Sequence, residues 1–467
     1  MNRISSFLSA LVCLLLAFSL AATPAQAAKP AKRPNLIYIM LDDAGYGDLS
    51  CYGQKKFKTP HIDALAAEGL KFTDHYSGST VCAPTRCSLM TGLHTGHALI
   101  RGNREVQPEG QAPMPADIVT LPRLLKKAGY VTGAFGKWGL GAPGSTSDPA
   151  EHFDQFFGYN CQRQAHTYYP THLWNNKTKV PLDGKTYSHD VIQAQTLKFI
   201  RDNKDKLFFC FMPITIPHAA MHAPESAVAP FRKKFPQFKD MIGKYRGPLV
   251  KNPVAAFAGM MTYMDKGIGE VMALLKELGI DDNTIVLFSS DNGPHLEGGH
   301  QPRFFDSNGP LRGFKRDLYD GGIRVPLIAR WPGKIKAGTT SDHISAHWDI
   351  LPTLCELGGA KTPEGIDGIS FVSTLLGQGE KQKQHEYLYW EYAPGGGKQA
   401  VRIGKWKGVR LNVRKNRNAP IELYNLATDI GETKNVAREH PEIVAKIEAA
   451  MKDAHVDSPI FKLFGKK

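Results

Sequence analysis

Short, wholly apolar runs alternate with amphipathic stretches along most of the chain, the pattern of a sheet covered on both faces by helices. The run at 35–41, NLIYIML, predicts a buried strand. Thr59-Pro60 reads as a helix N-cap with proline at the first helical position, and Ile62, Leu65, Ala66 and Leu70 continue as a helical stripe. Further strands are predicted at 131–135, 207–214, 284–290 and 325–331, and helices at 191–203, 254–278 and 349–357. After about Gly368 the texture changes. Residues 387–392, 399–403 and 406–411 read as short antiparallel strands, with the turn Pro394-Gly395-Gly396-Gly397 between the first two and a helix at 441–454 to follow. The expected organisation is α/β: a mostly parallel sheet sandwiched by helices over 28–370, and a smaller antiparallel α+β subdomain over 371–467.

The first residues stand apart from this pattern. A basic start at Asn2-Arg3, an apolar run from Phe7 to Leu20 and the small-x-small site Ala25-Gln26-Ala27 predict a secretory signal peptide over 1–27. The run is short for a membrane anchor, and nothing later is apolar enough to span, so the mature chain is expected to be exported to a periplasmic or extracellular space. Without Cys13, six cysteines remain, too few for a disulfide scaffold. Composition is that of a globular protein, 42% hydrophobic and 22% charged, which excludes disorder as the main state. The formal charge of +14 suits an acidic substrate or simply a basic surface. With no zinc-finger spacing and no basic helix with interleaved aromatics, no nucleic-acid partner is expected.

Polar residues follow the predicted strands in a regular way. Asp42-Asp43 follow the first, Lys137 the second, His218 comes shortly after the third, and Asp291-Asn292-Gly293 follow the fourth. In open parallel sheets ligands bind beyond the carboxyl ends of strands, so these four sites have reason to converge. Asp42, Asp43, Asp291 and Asn292 form an oxygen-only donor set that suits calcium or magnesium and suits zinc poorly. Crowded without a cation, the carboxylates would raise one another's pKa. Taken singly, each of these motifs also reads as a loop, cap or turn.

The segment 81–92, VCAPTRCSLMTG, settles the choice between these readings. Its Cys-x-Pro-x-Arg followed by Ser-Leu-Met-Thr-Gly resembles the signature of the type I sulfatases of the alkaline phosphatase superfamily. The resemblance runs from Pro34 to about Ala437. It takes in Asp42 to Leu49, Gly136-Lys137-Trp138, Pro217-His218, Asp291-Asn292-Gly293, Leu311-Arg312-Gly313-Phe314-Lys315 and Glu422 to Leu426 with Gly431-Glu432-Thr433. It implies an alkaline-phosphatase-like fold and a formylglycine made from Cys82 by a maturation enzyme during export. The aldehyde hydrates to a diol, one hydroxyl attacking sulfur and the other later expelling sulfate. It also implies that Asp42, Asp43, Cys82, Asp291 and Asn292 hold the cation, that Arg86 holds the diol, that Lys137 and Lys315 bind sulfate oxygens, and that His218 is the general acid.

One position departs from the pattern. Where the family commonly has a histidine two residues after the lysine of Gly-Lys-Trp, this chain has Gly139. His97, His166 and His300 are candidate substitutes, and the sequence assigns none of them. Candidate substrate contacts are Arg101 and Asn103, His166 within the segment 162–170, and His300 ahead of a loop bearing Arg303, Asp306 and Asn308. Hydrogen-bonding groups interleaved with aromatics suit a sulfated carbohydrate. Two other readings stay open: a phosphodiesterase or phosphonate monoester hydrolase of the same superfamily, and an inactive fold retained to bind sulfated glycans.

Overall fold

The computed structural model describes residues 33–465; the leader expected over 1–27 lies outside them. The central strand, Asn35–Asp42, is buried along its whole length. Its side chains alternate between two cores: Ile37, Ile39 and Leu41 point into one, Leu36, Tyr38 and Met40 into the other. A strand buried on both faces needs apolar residues at every position, which is why it reads as a continuous run.

Around it, Thr284–Ser290, Asn35–Asp42, Phe208–Pro217, Val131–Lys137 and Gln155–Tyr159 lie in that order as five parallel neighbours. Beyond Thr284–Ser290 come the antiparallel Leu327–Arg330 and Leu70–Phe72, then Thr339–Ser341 parallel to the latter. Beyond Gln155–Tyr159 comes the hairpin of His172–Asn175 and Thr178–Pro181, which completes a mixed ten-stranded sheet. The helices Pro60–Ala67, Ser188–Asp202 and Pro253–Glu277 pack on the Ile37 face. Cys82–Thr91, Leu121–Lys127 and Ile350–Gly358 pack on the other.

Thr59 does stand at the N-cap position before Pro60, but its side chain makes no cap bond. Its hydroxyl instead accepts the Ser50 backbone N–H at 3.0 Å, tying the helix to the preceding turn.

The C-terminal sheet has four antiparallel strands, Leu388–Tyr392, Lys398–Ile403, Trp406–Leu411 and Ile421–Asn425, with the helix Pro441–Asp453 packed on one face. Its other face meets the body of the molecule through Trp390 and Tyr424, which pack with Tyr76, Trp348 and Leu318. A buried ionic network crosses the same boundary. Lys407 Nζ lies 2.5 Å from Asp320 and 3.4 Å from Glu432, while Arg402 and Arg324 grip Asp74 at 2.6 and 2.8 Å. The six described cysteines are free thiols.

Candidate active site

The sheet brings the four predicted sites to one edge. Asp42 and Lys137 end adjacent parts of the parallel sheet, Pro217-His218 ends the strand between them, and Asp291 follows Thr284–Ser290. Cys82 is the first residue of a ten-residue helix that is buried throughout and ends at Gly92 in the left-handed conformation. The dipole at such an N-terminus favours an anion beside Cys82.

The charged side chains interlock. Lys137 Nζ lies 2.5 Å from Asp42 Oδ2, and Lys315 Nζ lies 2.7 Å from Asp43 Oδ2. Arg86 donates to Asp291 Oδ2 at 2.9 Å and to the Lys137 carbonyl. Asn292 Nδ2 donates to Asp43 Oδ1 at 2.7 Å, and the Asp43 backbone N–H donates to Asp291 Oδ1 at 3.0 Å. His218 directs Nδ1 at the Ala219 carbonyl, leaving Nε2 3.4 Å from Asp43 Oδ2.

These residues fit an oxygen-ligated cation. Asp42, Asp43, Cys82 and His218 each offer a ligand atom, all within 4.8 Å of one another. Asp42 Oδ1 and Asn292 Oδ1 are buried without any hydrogen-bond partner, although buried oxygens are ordinarily paired. Electrostatics agrees. Burial, then the neighbouring Asp42 charge, pushes Asp291 up to about 7, the protonation expected when carboxylates crowd without a cation. Burial also opposes the Asp42 charge, but Lys137, His218 and Arg86 outweigh it and hold that carboxyl well below the usual range. Burial pushes the Cys82 thiol up to about 12 despite both lysines, so an unmodified thiol here is not ionised at neutral pH.

The remaining candidates are distributed unevenly. His166 stacks on His218, ring centroids 4.2 Å apart and ring planes nearly parallel. Asn103 accepts the Ala83 backbone N–H at 3.1 Å and so caps the Cys82 helix. Arg101 is committed to Glu391 at 2.8 Å and to the Ala98 and Val456 carbonyls, at the boundary with the C-terminal sheet. His300 is buried, stacked on Phe257 at 4.0 Å with Nδ1 on the His295 carbonyl. His97 meets Asp367 at 2.8 Å. Of the three histidines offered as substitutes at Gly139, His166 is therefore the one that stacks against the site.

Gly139 itself has φ +74°, and a Cβ there would lie 2.9 Å from Gln162 Cγ. The Gln162 side chain fills the space. Gln162 opens the segment 162–170 expected to meet substrate, but its packing on Gly139 was not foreseen. Tyr245, an aromatic in a polar hairpin whose ring lies 5.8 Å from His218 and 5.4 Å from His166, belongs to no motif or periodic pattern.

A profile of the Sulfatase family matches residues 34–360, and one described as N-sulphoglucosamine sulphohydrolase, C-terminal, matches 312–457. The chain is 30% identical to arylsulfatase A of Homo sapiens, over 90% of this chain and 87% of that one. It is 28% identical to N-acetylgalactosamine-6-O-sulfatase of Bacteroides thetaiotaomicron, over 89% and 92%. The crystal structure of Ps i-CgsB in complex with k-i-k-neocarrahexaose superposes with a TM-score of 0.76 at 27% identity, covering 90% of this chain and 92% of that one. The matches span both sheets and the whole site, and the chain belongs to the sulfatase family of the alkaline phosphatase superfamily, as a sulfuric ester hydrolase.

Proposed function

We propose that this protein is an exported sulfatase that removes sulfate from a saccharide, using a formylglycine made from Cys82 and a divalent cation, calcium by donor chemistry. The observation that carries the reading is the setting of Cys82: at a buried helix N-terminus, its sulfur within 4.8 Å of two carboxylates that are each paired with a lysine. The saccharide is supported by relatives and neighbours whose own names specify sulfated amino sugars and a bound carrageenan oligosaccharide. When present, the hydrated aldehyde supplies the attacking hydroxyl and the cation supplies Lewis acidity.

The chain's own residues supply the rest. Asp42, Asp43, Asp291 and Asn292 are the oxygen ligands, with residue 82 beside them. Arg86, held by Asp291 and the Lys137 carbonyl, fixes the position of residue 82. Lys137 and Lys315 donate to sulfate oxygens, each such preorganised donor contributing roughly 10²–10³ in rate. With Nδ1 on the Ala219 carbonyl, His218 has Nε2 available to hand a proton to the departing sugar oxygen. His166 and Tyr245 pack against that ring and limit its rotation.

The test is a paired assay of sulfate and phosphate release, using matched aryl esters and a panel of sugar sulfates. Sulfate release, lost on chelation and restored by calcium, is expected. Phosphate release alone would transfer the protein to the phosphoesterase reading, and retention of sulfated sugars without hydrolysis to the binding one.

A further inference from the structure

Two segments meet over His218. One carries His166, the other is the hairpin of Ile242–Gly243 and Val250–Lys251, whose loop carries Tyr245. The hairpin is anchored where the Pro248 carbonyl meets His222 Nε2 at 2.9 Å. Directly beyond His166 and Tyr245, the same two segments continue as the walls of a cleft of about 550 Å³, with Thr167 on one side and Arg246-Gly247 on the other. That volume falls within the range of about 300–1,000 Å³ typical of small-molecule sites.

The cleft has unspent positive charge. Arg246 is exposed and has no carboxylate partner among the described residues. Arg163 also lines the cleft, held by the Pro108 carbonyl at 2.7 Å and only loosely paired with the part-exposed Glu105 at 3.7 Å. Glu109 is the one acidic residue of the lining, and both its oxygens are already engaged, by His172 Nε2 at 2.9 Å and Trp174 Nε1 at 2.8 Å. Tyr169 and Pro170 add apolar surface of the kind sugar rings pack on.

We propose that this cleft binds the sugar next to the one losing its sulfate, and that Arg246 with Arg163 selects a neighbour bearing an anionic group, either a uronate carboxylate or a second sulfate. The proposal rests on the sulfatase reading above, because His218 fixes the side on which the leaving sugar lies. A planar guanidinium suits both anions, since each presents two oxygens to its parallel N–H donors.

The test uses oligosaccharides with the same scissile sulfate and three different neighbours: a neutral hexose, a uronate and a second sulfated hexose. For the unaltered protein, kcat/KM is expected to be at least about tenfold higher for one or both anionic neighbours, mainly through KM, with the advantage shrinking as salt is added. The arm that shows it identifies the anion. Arg246→Ala is expected to remove most of that preference, and Arg246→Lys to keep part of it. Equal kcat/KM for neutral and anionic neighbours, or a preference untouched by Arg246→Ala, overturns the proposal. Calorimetric binding of the same oligosaccharides to the Cys82→Ala protein separates the two readings. Tighter binding of anionic neighbours, lost on adding Arg246→Ala, supports the cleft even if no ester is hydrolysed. Indifference to the neighbour overturns the cleft even if sulfate is released.

Discussion

At the scale of single residues, the environment of His218 sets a testable pH dependence. Burial, reinforced by the Lys315 ammonium and opposed by Asp42, holds the imidazole well below its ordinary 6.5. A general acid works from its protonated form, so kcat/KM for a sugar sulfate is expected to fall as pH rises through this depressed value, its alkaline limb beginning on the acid side of 6.5. His218→Gln is expected to remove that limb and cost about 10²–10⁴ in rate with a sugar sulfate. With a nitrophenyl sulfate, whose leaving group needs no proton, the loss should be far smaller. Equal losses on both substrates would contradict the assignment. The convergence of Asp42, Lys137, His218 and Asp291 was legible because they follow predicted strands, and Cys82 was legible through its resemblance to a family signature. The contacts of Gln162 and Tyr245 were not, because they arise only from how two loops fold over the sheet.

At the scale of elements, legibility followed long unbroken apolar runs, and the buried strand Gln155–Tyr159, five residues interrupted by Gly158, was not expected. The strands Thr284–Ser290 and Trp406–Leu411 lie at their expected bounds, and Val131–Lys137 and Phe208–Pro217 extend beyond the predicted runs into the site. Leu70, expected to continue the helical stripe from Ile62, instead opens the strand Leu70–Phe72 because the helix stops at Ala67, and neither Thr178–Pro181 nor Thr339–Ser341 was expected. These strands are three or four residues long, and the two outermost are partly or fully exposed, so their strand character comes from the neighbour they pair with. Ile421–Asn425 was seen as part of a family pattern and not as the fourth strand. The turn after Val131–Lys137 explains the departure at position 139. With φ +74° and Gln162 against it, any side chain there is strained. Gly139→Ala is expected to cost about 1–2 kcal/mol, the usual penalty of a left-handed conformation for an L-residue, visible as a lower midpoint in urea unfolding. An unchanged midpoint would show that the turn relaxes freely. Gly139→His would meet the same strain, so the ordinary family histidine is not interchangeable with the glycine of this chain.

At the scale of the whole molecule, the C-terminal sheet is joined to the catalytic body by charges no sequence pattern had indicated. Lys407 is fully buried between Asp320 and Glu432. Burial opposes ionisation of Asp320, but Lys407, Arg324 and Arg402 hold it down to about 2, while burial lifts Glu432 to about 7. Lys407→Met would leave the buried Glu432 without its cation and Asp320 with Arg324 as its direct partner, at an expected cost of about 3–5 kcal/mol in unfolding free energy, whereas a loss within experimental error would mean the network is dispensable. Arg101, placed by sequence near the substrate, belongs to a second such junction through Glu391, which His455 also contacts at 2.6 Å. Whatever holds the sheet together, the proposed chemistry requires residue 82 to be a formylglycine, no longer a cysteine, in the working enzyme. Mass spectrometry of the tryptic peptide from Phe72 to Arg86, taken from protein that releases sulfate, tests it most directly. An aldehyde is expected at Cys82, and a fully intact thiol in an active preparation would rule out the formylglycine mechanism.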